Sequence, residues 1–145
     1  SIARTCAATH TPLHLIRPFP FEVSDKQAKR AGLDYWPYVD ITIHDTWDEF
    51  LQKTQTKRIW AFSKFGKRIY YEADFKPDDA LVFGSETTGL SPEFLASLNE
   101  ENILTIPMPS LNVRSLNLSN AVSIGLYEAR RQLKLDENTE IRERK

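Results

Sequence analysis

The chain has 145 residues, 41% hydrophobic and 27% charged, with a formal net charge of -1, enough for one compact domain with a real core. No overall basic field draws it to nucleic acid, so any RNA contact needs a local patch or one completed by a second subunit. A single cysteine, Cys6, excludes an internal disulfide, the scattered His10, His14 and His44 lack metal-ligand spacing, and neither a signal peptide nor an apolar run of the ~20 residues that span a bilayer is present. A reducing, cytoplasmic setting is therefore expected, with an organelle as the alternative, and neither metal nor membrane is implied.

Residues 2–8, Ile2-Ala3-Arg4-Thr5-Cys6-Ala7-Ala8, suit a helix. Residues 13–17 read as a short buried strand ended by Pro18-Phe19-Pro20. Ser24 can cap a helix through Ala31 that Gly32 ends. Lys26, Lys29 and Arg30 share one face of it, either a plain solvated face or a phosphate contact. Residues 39–44 alternate apolar and polar, as a half-buried strand does. Thr46-Trp47-Asp48-Glu49 matches a capping box and starts a helix through Lys53.

Residues 58–62 and 69–71 are further strand candidates. Ala80-Leu81-Val82-Phe83 is a continuous apolar run, the pattern of a strand covered on both faces. Ser91-Pro92 caps and opens a helix to Leu98, and residues 103–106 form another buried strand. A last helix should span 118–135, with Val122, Leu126, Ala129 and Leu133 as its buried stripe. The charged residues 136–145 should fray. Strands alternating with helices predict a single α/β domain over 1–145, a mostly parallel sheet with helices on both faces. Ligands in such sheets sit beyond the carboxyl ends of the strands.

Two loops at that location look chemical. In Phe83-Gly84-Ser85-Glu86-Thr87-Thr88-Gly89-Leu90 the glycines permit close backbone approach or positive φ. The spacing fits neither a dinucleotide fingerprint nor a Walker loop, and taken alone an ordinary turn with Ser91 as helix cap explains it slightly better. The second, Ile106-Pro107-Met108, leads through a polar loop to Arg114-Ser115-Leu116-Asn117-Leu118-Ser119-Asn120-Ala121-Val122. Ser115, Asn117, Ser119 and Asn120 exceed what one helix start requires. Capping explains one of them; the polar groups of the others could fix a ligand or tie down a chain crossing.

Together these loops resemble the signature of the SPOUT (TrmH-like) RNA 2'-O-methyltransferases. That superfamily has a Phe-Gly-x-Glu-x-x-Gly-Leu loop, then Ile-Pro-Met before Arg-Ser-Leu-Asn-Leu-Ser-Asn-Ala-Val. Its first motif, Ile-x-Arg-x-Cys-Ala, is matched at residues 2–7. Residues 29–35 and 127–132 are similar to the small TrmL/YibK branch, which methylates the wobble cytidine or uridine of certain tRNAs. Family members begin with a strand and a Pro-x-Asn-x-Gly loop before this arginine, so the sheet is expected to lack that first strand. The loop between Met108 and Arg114 is about one residue longer than expected for the family.

The resemblance implies a C-terminal trefoil knot that forms the S-adenosyl-L-methionine (AdoMet) pocket, S-adenosyl-L-homocysteine as product, and a homodimer acting on the tRNA anticodon loop. By matching position, Phe62, Gly84, Glu86, Ile106, Met108, Ser115 and Leu116 would meet or shape the cofactor site. Asn117, Ser119 and Asn120 would hold the knot crossing, and Arg4 would be catalytic. Lys26, Lys29, Arg30 and Arg114 would touch phosphates, and Tyr127 the tRNA end of the site. Tyr35, Trp36 or Tyr127 could stack on bases or pack in the core. The alternatives are a ribosomal RNA 2'-O-methyltransferase and a catalytically silent AdoMet- or RNA-binding module.

Overall fold

The computed structural model describes residues 2–19, 36–56 and 58–142. The helix expected at 24–31, with Lys26, Lys29 and Arg30, lies outside the described residues, as do Tyr35 and the side chain of Trp36. The chain forms two compact units, Ser1–Gln55 and Thr56–Lys145.

In the first unit, helix α1 (Ile2–Ala8) precedes strand β1 (Leu13–Ile16), which pairs in parallel with β2 (Ile41–His44), Leu13 opposite Ile41 and Ile16 opposite His44. Cys6 is buried in α1, and burial pushes its thiol pKa up. Helix α2 (Trp47–Lys53) starts where the sequence places it. The Thr46 hydroxyl accepts from the Glu49 N–H at 3.1 Å, while the Glu49 carboxylate accepts from the Asp45 N–H at 2.9 Å, one residue before the cap. The helix drives Phe50 edge-on against His14 and His44. Those rings stack with Nδ1 of His14 2.9 Å from Nε2 of His44. His44 is 1% exposed, and its Nδ1 has no partner among the described residues.

The second unit holds strands β3 (Ile59–Phe62), β4 (Arg68–Ile69), β5 (Ala80–Phe83) and β6 (Ile103–Thr105). They lie in the order β4-β6-β3-β5, all parallel. Short helix α3 (Pro92–Ala96) is capped by the Ser91 hydroxyl, which accepts from the Phe94 N–H at 3.1 Å. Helix α4 (Leu118–Gln132) closes the unit. Trp60, Phe62, Ala73, Phe75, Leu104 and Ala129 form the core, with Phe83 and Ile106 packed against it. Among the described residues no helix is long and apolar enough to cross a membrane.

Several expectations shift: the helix expected to reach Leu98 ends at Ala96, and the one expected to reach Leu135 ends at Gln132. Residues 69–71 become a two-residue strand and then a 3-10 turn, Tyr70–Glu72. β5 has the expected bounds but is half-buried throughout, because it is the last strand in the sheet order. The stripe of α4 is buried at Val122, Gly125 and Ala129, with Leu126 and Leu133 half-buried.

Candidate active site

Register decides where the loops meet. Phe62 pairs with Phe83 on one side and Leu104 on the other, so β3, β5 and β6 end level with one another. The turns that begin at Ser63, Gly84 and Ile106 therefore leave the same carboxyl edge of one parallel sheet. That edge is where open parallel sheets bind ligands.

The 84–90 turn is closed tightly. Ser85 and Gly89 bridge in antiparallel fashion, the Gly89 N–H donating to the Ser85 carbonyl at 3.0 Å. The Ser85 and Thr88 hydroxyls lie 2.7 Å apart, and the Thr88 N–H donates to Ser85 Oγ at 3.2 Å. Gly89 sits at φ 66°, in the left-handed region that suits glycine. A Cβ on Gly84 would lie 2.1 Å from the Gly89 carbonyl carbon and 2.3 Å from Leu90 N, so only glycine lets these backbones touch. Glu86 stands exposed at the tip.

The third loop runs from half-buried Ile106 and Met108 to the start of α4. Asn117 caps that helix: its Oδ1 accepts from the Ser119 N–H at 2.9 Å, the Ser119 hydroxyl at 2.6 Å and the Asn120 N–H at 3.4 Å. Capping thus engages three of the four crowded polar residues, and Ser115 lies before them, exposed. Leu111, Val113 and Leu116 are exposed large hydrophobics along this loop.

The structure brings Phe62, Gly84, Glu86, Ile106, Met108, Arg114, Ser115, Leu116 and the capping trio into the second unit, with Tyr127 half-exposed on α4. Arg4 lies exposed on α1 of the first unit. The ring of Phe62 stacks on Phe83 in the core, centroids 4.5 Å apart at 18°. Any ligand contact of Phe62 thus comes from its backbone. Sequence reasoning passed over the Ser63–Gly66 turn at the same edge. The Ser63 N–H donates to the Leu104 carbonyl at 2.9 Å, the Phe65 N–H to Ser63 Oγ at 3.1 Å and the Gly66 N–H to the Ser63 carbonyl at 3.0 Å. Ser-Lys-Phe-Gly directly after a strand was the available signal.

Such an edge offers closely approaching backbone, apolar walls at Ile106 and Met108, and side-chain hydroxyls. Among the described residues no group of three or more His, Cys, Asp and Glu could hold a metal ion.

Comparison with known proteins agrees with this geometry. The model of the SpoU rRNA Methylase family matches residues 1–127. The chain belongs to the SpoU methylase family. A protein of Geobacillus stearothermophilus, named provisionally as a tRNA (cytidine(34)-2'-O)-methyltransferase, is 52% identical to this SpoU methylase over 135 residues, covering 91% of this chain and 85% of that one. A solved structure described as giving structural insights into the 2-OH methylation of C/U34 on tRNA is 50% identical, with TM-score 0.82, covering 92% of this chain and 86% of that one. An AdoMet-bound rRNA methyltransferase from Sinorhizobium meliloti is 26% identical, with TM-score 0.75, covering 91% of this chain and 50% of that one.

Proposed function

We propose that this SpoU methylase transfers the methyl group of AdoMet to the ribose 2'-hydroxyl of the tRNA wobble nucleotide, cytidine or uridine, releasing S-adenosyl-L-homocysteine. The observation that carries the reading is the shared carboxyl edge of β3, β5 and β6, bearing the family's loops in a chain about half identical to relatives tied by name to wobble-ribose methylation. We further propose a homodimer working in the cytoplasm on the anticodon loop. The exposed Leu111, Val113 and Leu116 support an assembly larger than one chain.

In this reading the backbones of Phe62, Gly84, Glu86 and Ser115 hold the cofactor's polar groups, and Ile106, Met108 and Leu116 line its apolar side. Asn117, Ser119 and Asn120 fix the crossing of a C-terminal knot. AdoMet, when bound, supplies a methyl group already activated on a sulfonium. The protein's task is to align the ribose oxygen with that methyl and favour loss of the hydroxyl proton, which passes to solvent water as the C–O bond forms and the C–S bond breaks.

Arg4 is assigned an electrostatic role. A guanidinium is essentially always protonated, so it cannot take the proton; it can donate to the developing 2'-alkoxide or the adjacent phosphate. Arg4→Lys keeps the charge but loses the planar fork. The expected loss in kcat is about a hundred- to a thousandfold, measured with AdoMet binding unchanged. Full turnover by that variant would refute the role. Lys26, Lys29, Arg30 and Arg114 are proposed as phosphate contacts that position the tRNA, and Tyr127 as a contact at its reactive end.

The deciding experiment incubates the protein with AdoMet and unmodified tRNA, then maps 2'-O-methyl groups by mass spectrometry. One methyl at the wobble ribose supports reaction, substrate and position together. AdoMet binding without methyl transfer to tRNA would sink the proposal and turn the search to ribosomal RNA.

A further inference from the structure

Phe65 is a large aromatic left 71% exposed on a short turn at the ligand edge of the sheet. The turn that carries it is held from several sides. Ser63 continues the ladder to Leu104, and its hydroxyl and carbonyl accept from the N–H groups of Phe65 and Gly66. A Cβ on Gly66 would meet the Leu104 carbonyl carbon at 2.6 Å and oxygen at 2.8 Å, so the turn lies flat on β6 with no room to shift inward. Its geometry fixes Phe65 outward, where most of the ring forfeits burial.

Lys64 supplies the second feature. Its Nζ lies 5.3 Å from the Phe65 ring centroid, and the side chain is exposed. Lys67, on the other side, is occupied with Glu100 at 2.8 Å. Phenylalanine is enriched but lysine depleted at the centre of protein–protein interfaces, so the Lys64 half of the pair is what points away from a second protein. An exposed aromatic face with an adjoining cation suits single-stranded RNA, whose bases stack and whose phosphates need neutralising.

We infer that Phe65 is a base-stacking platform for the tRNA substrate, with Lys64 as its phosphate contact. This rests on the tRNA reading above. Phe65 receives one unstacked base of the single-stranded loop, and Lys64 contacts the phosphate beside it. The pair positions substrate and takes no part in the chemistry.

The test uses the full chain and Phe65→Ala, Phe65→Trp and Lys64→Gln, with an unmodified anticodon stem-loop as probe in the presence of S-adenosyl-L-homocysteine. Phe65→Ala is expected to weaken RNA binding by about 10- to 100-fold and raise KM with little change in kcat, while Phe65→Trp stays within about threefold of the parent. Lys64→Gln should lower the slope of log K against log salt by about 0.7. AdoMet affinity, melting temperature and sedimentation should stay those of the parent in all three. Phe65→Ala binding the stem-loop like the parent overturns the platform and leaves the proposed function standing. A change of oligomeric state in Phe65→Ala also overturns it, and makes Phe65 a contact between copies. A parent protein that methylates no tRNA sinks the function itself, and the tRNA platform with it.

Discussion

Gly84→Ala probes the closed turn on which the proposed cofactor site is built. The new Cβ would fall 2.1 Å from the carbonyl carbon of Gly89 and 2.3 Å from the Leu90 nitrogen. Carbon atoms rest at about 3.5–4.0 Å, so the 89–90 backbone must retreat by more than about 1 Å. No flexible side chain can absorb that, because both colliding atoms are main chain. The retreat would stretch the Gly89 N–H to Ser85 carbonyl bond, now 3.0 Å. Overpacking of this kind costs about 1–3 kcal/mol, or roughly 2–12 °C of melting temperature for a chain of this size. AdoMet binding should weaken by about tenfold or more if one backbone hydrogen bond to it is misplaced. Gly89→Ala is the informative companion: its Cβ would meet nothing within 4 Å, and only φ 66° penalises it, by about 1–2 kcal/mol. Thermal melts and titration calorimetry read both variants. A Gly84→Ala protein that melts with the parent and binds AdoMet equally well would refute the collision and the close approach behind it.

Asp79 lies 5% exposed at its side chain and accepts from Arg58 Nε at 2.9 Å, Trp60 Nε1 at 2.8 Å and the Lys76 N–H at 2.8 Å. Asp79→Ala strands those donors and should cost about 2–4 kcal/mol in urea unfolding; a loss under about 0.5 would show that the cluster is cosmetic. Asn117→Ala removes the cap of α4 and should cost about 1 kcal/mol, with Asn117→Asp restoring most of it; equal stability of the alanine variant would count against capping. The His14 pKa is held below its ordinary 6.5 by burial, then by the neighbouring His44, with Asp40 opposing. Below 6.5 the unfolded chain binds the proton more readily, so this contribution is whole above that pH and is lost as pH falls through the folded value. Stability should therefore drop as pH falls below about 6.5, and less so in His14→Gln; identical slopes in the two proteins would remove His14 as the cause.

Much of the fold was readable because punctuation sits beside periodicity. The bounds of β5 and α2 are those expected, Thr46 opening α2, while Ser91-Pro92 marks where α3 starts but not where it ends. What escaped depends on sheet order and register, which local pattern does not carry. The edge position of β5 could not be read from Ala80-Leu81-Val82-Phe83, which looks the same in a central strand. His14 and His44 are 30 residues apart and meet only because β1 and β2 pair in parallel. At the site, Gly84, Gly89 and the Asn117 cap announced themselves by residue type. Ser63–Gly66 did not, since its meaning comes from the Leu104 backbone about forty residues away.

A net charge of -1 is a poor guide to whether this chain can hold RNA. What matters to a phosphate is the charge left over after internal pairing. Arg17, Lys53, Arg58, Lys67, Lys76, Arg130 and Arg131 are committed to Asp45, Glu49, Asp79, Glu100, Asp74, Asp136 and Glu128. The Glu128 carboxyl, gripped by hydrogen bonds from Arg131 and Gln132, has its pKa held below the usual value, a sign that the pair neutralises itself. Among the described residues Lys64 and Arg114 are in none of these pairs, and both sit on loops of the second unit that follow β3 and β6 from the carboxyl edge. The acidic residues offset many of the basic ones among the described residues, and in the proposed function Lys64 and Arg114 are cations left to meet a substrate phosphate. Adding salt should therefore weaken substrate binding with a shallow slope, about 0.7 per phosphate engaged, not the steep one of a globally basic protein.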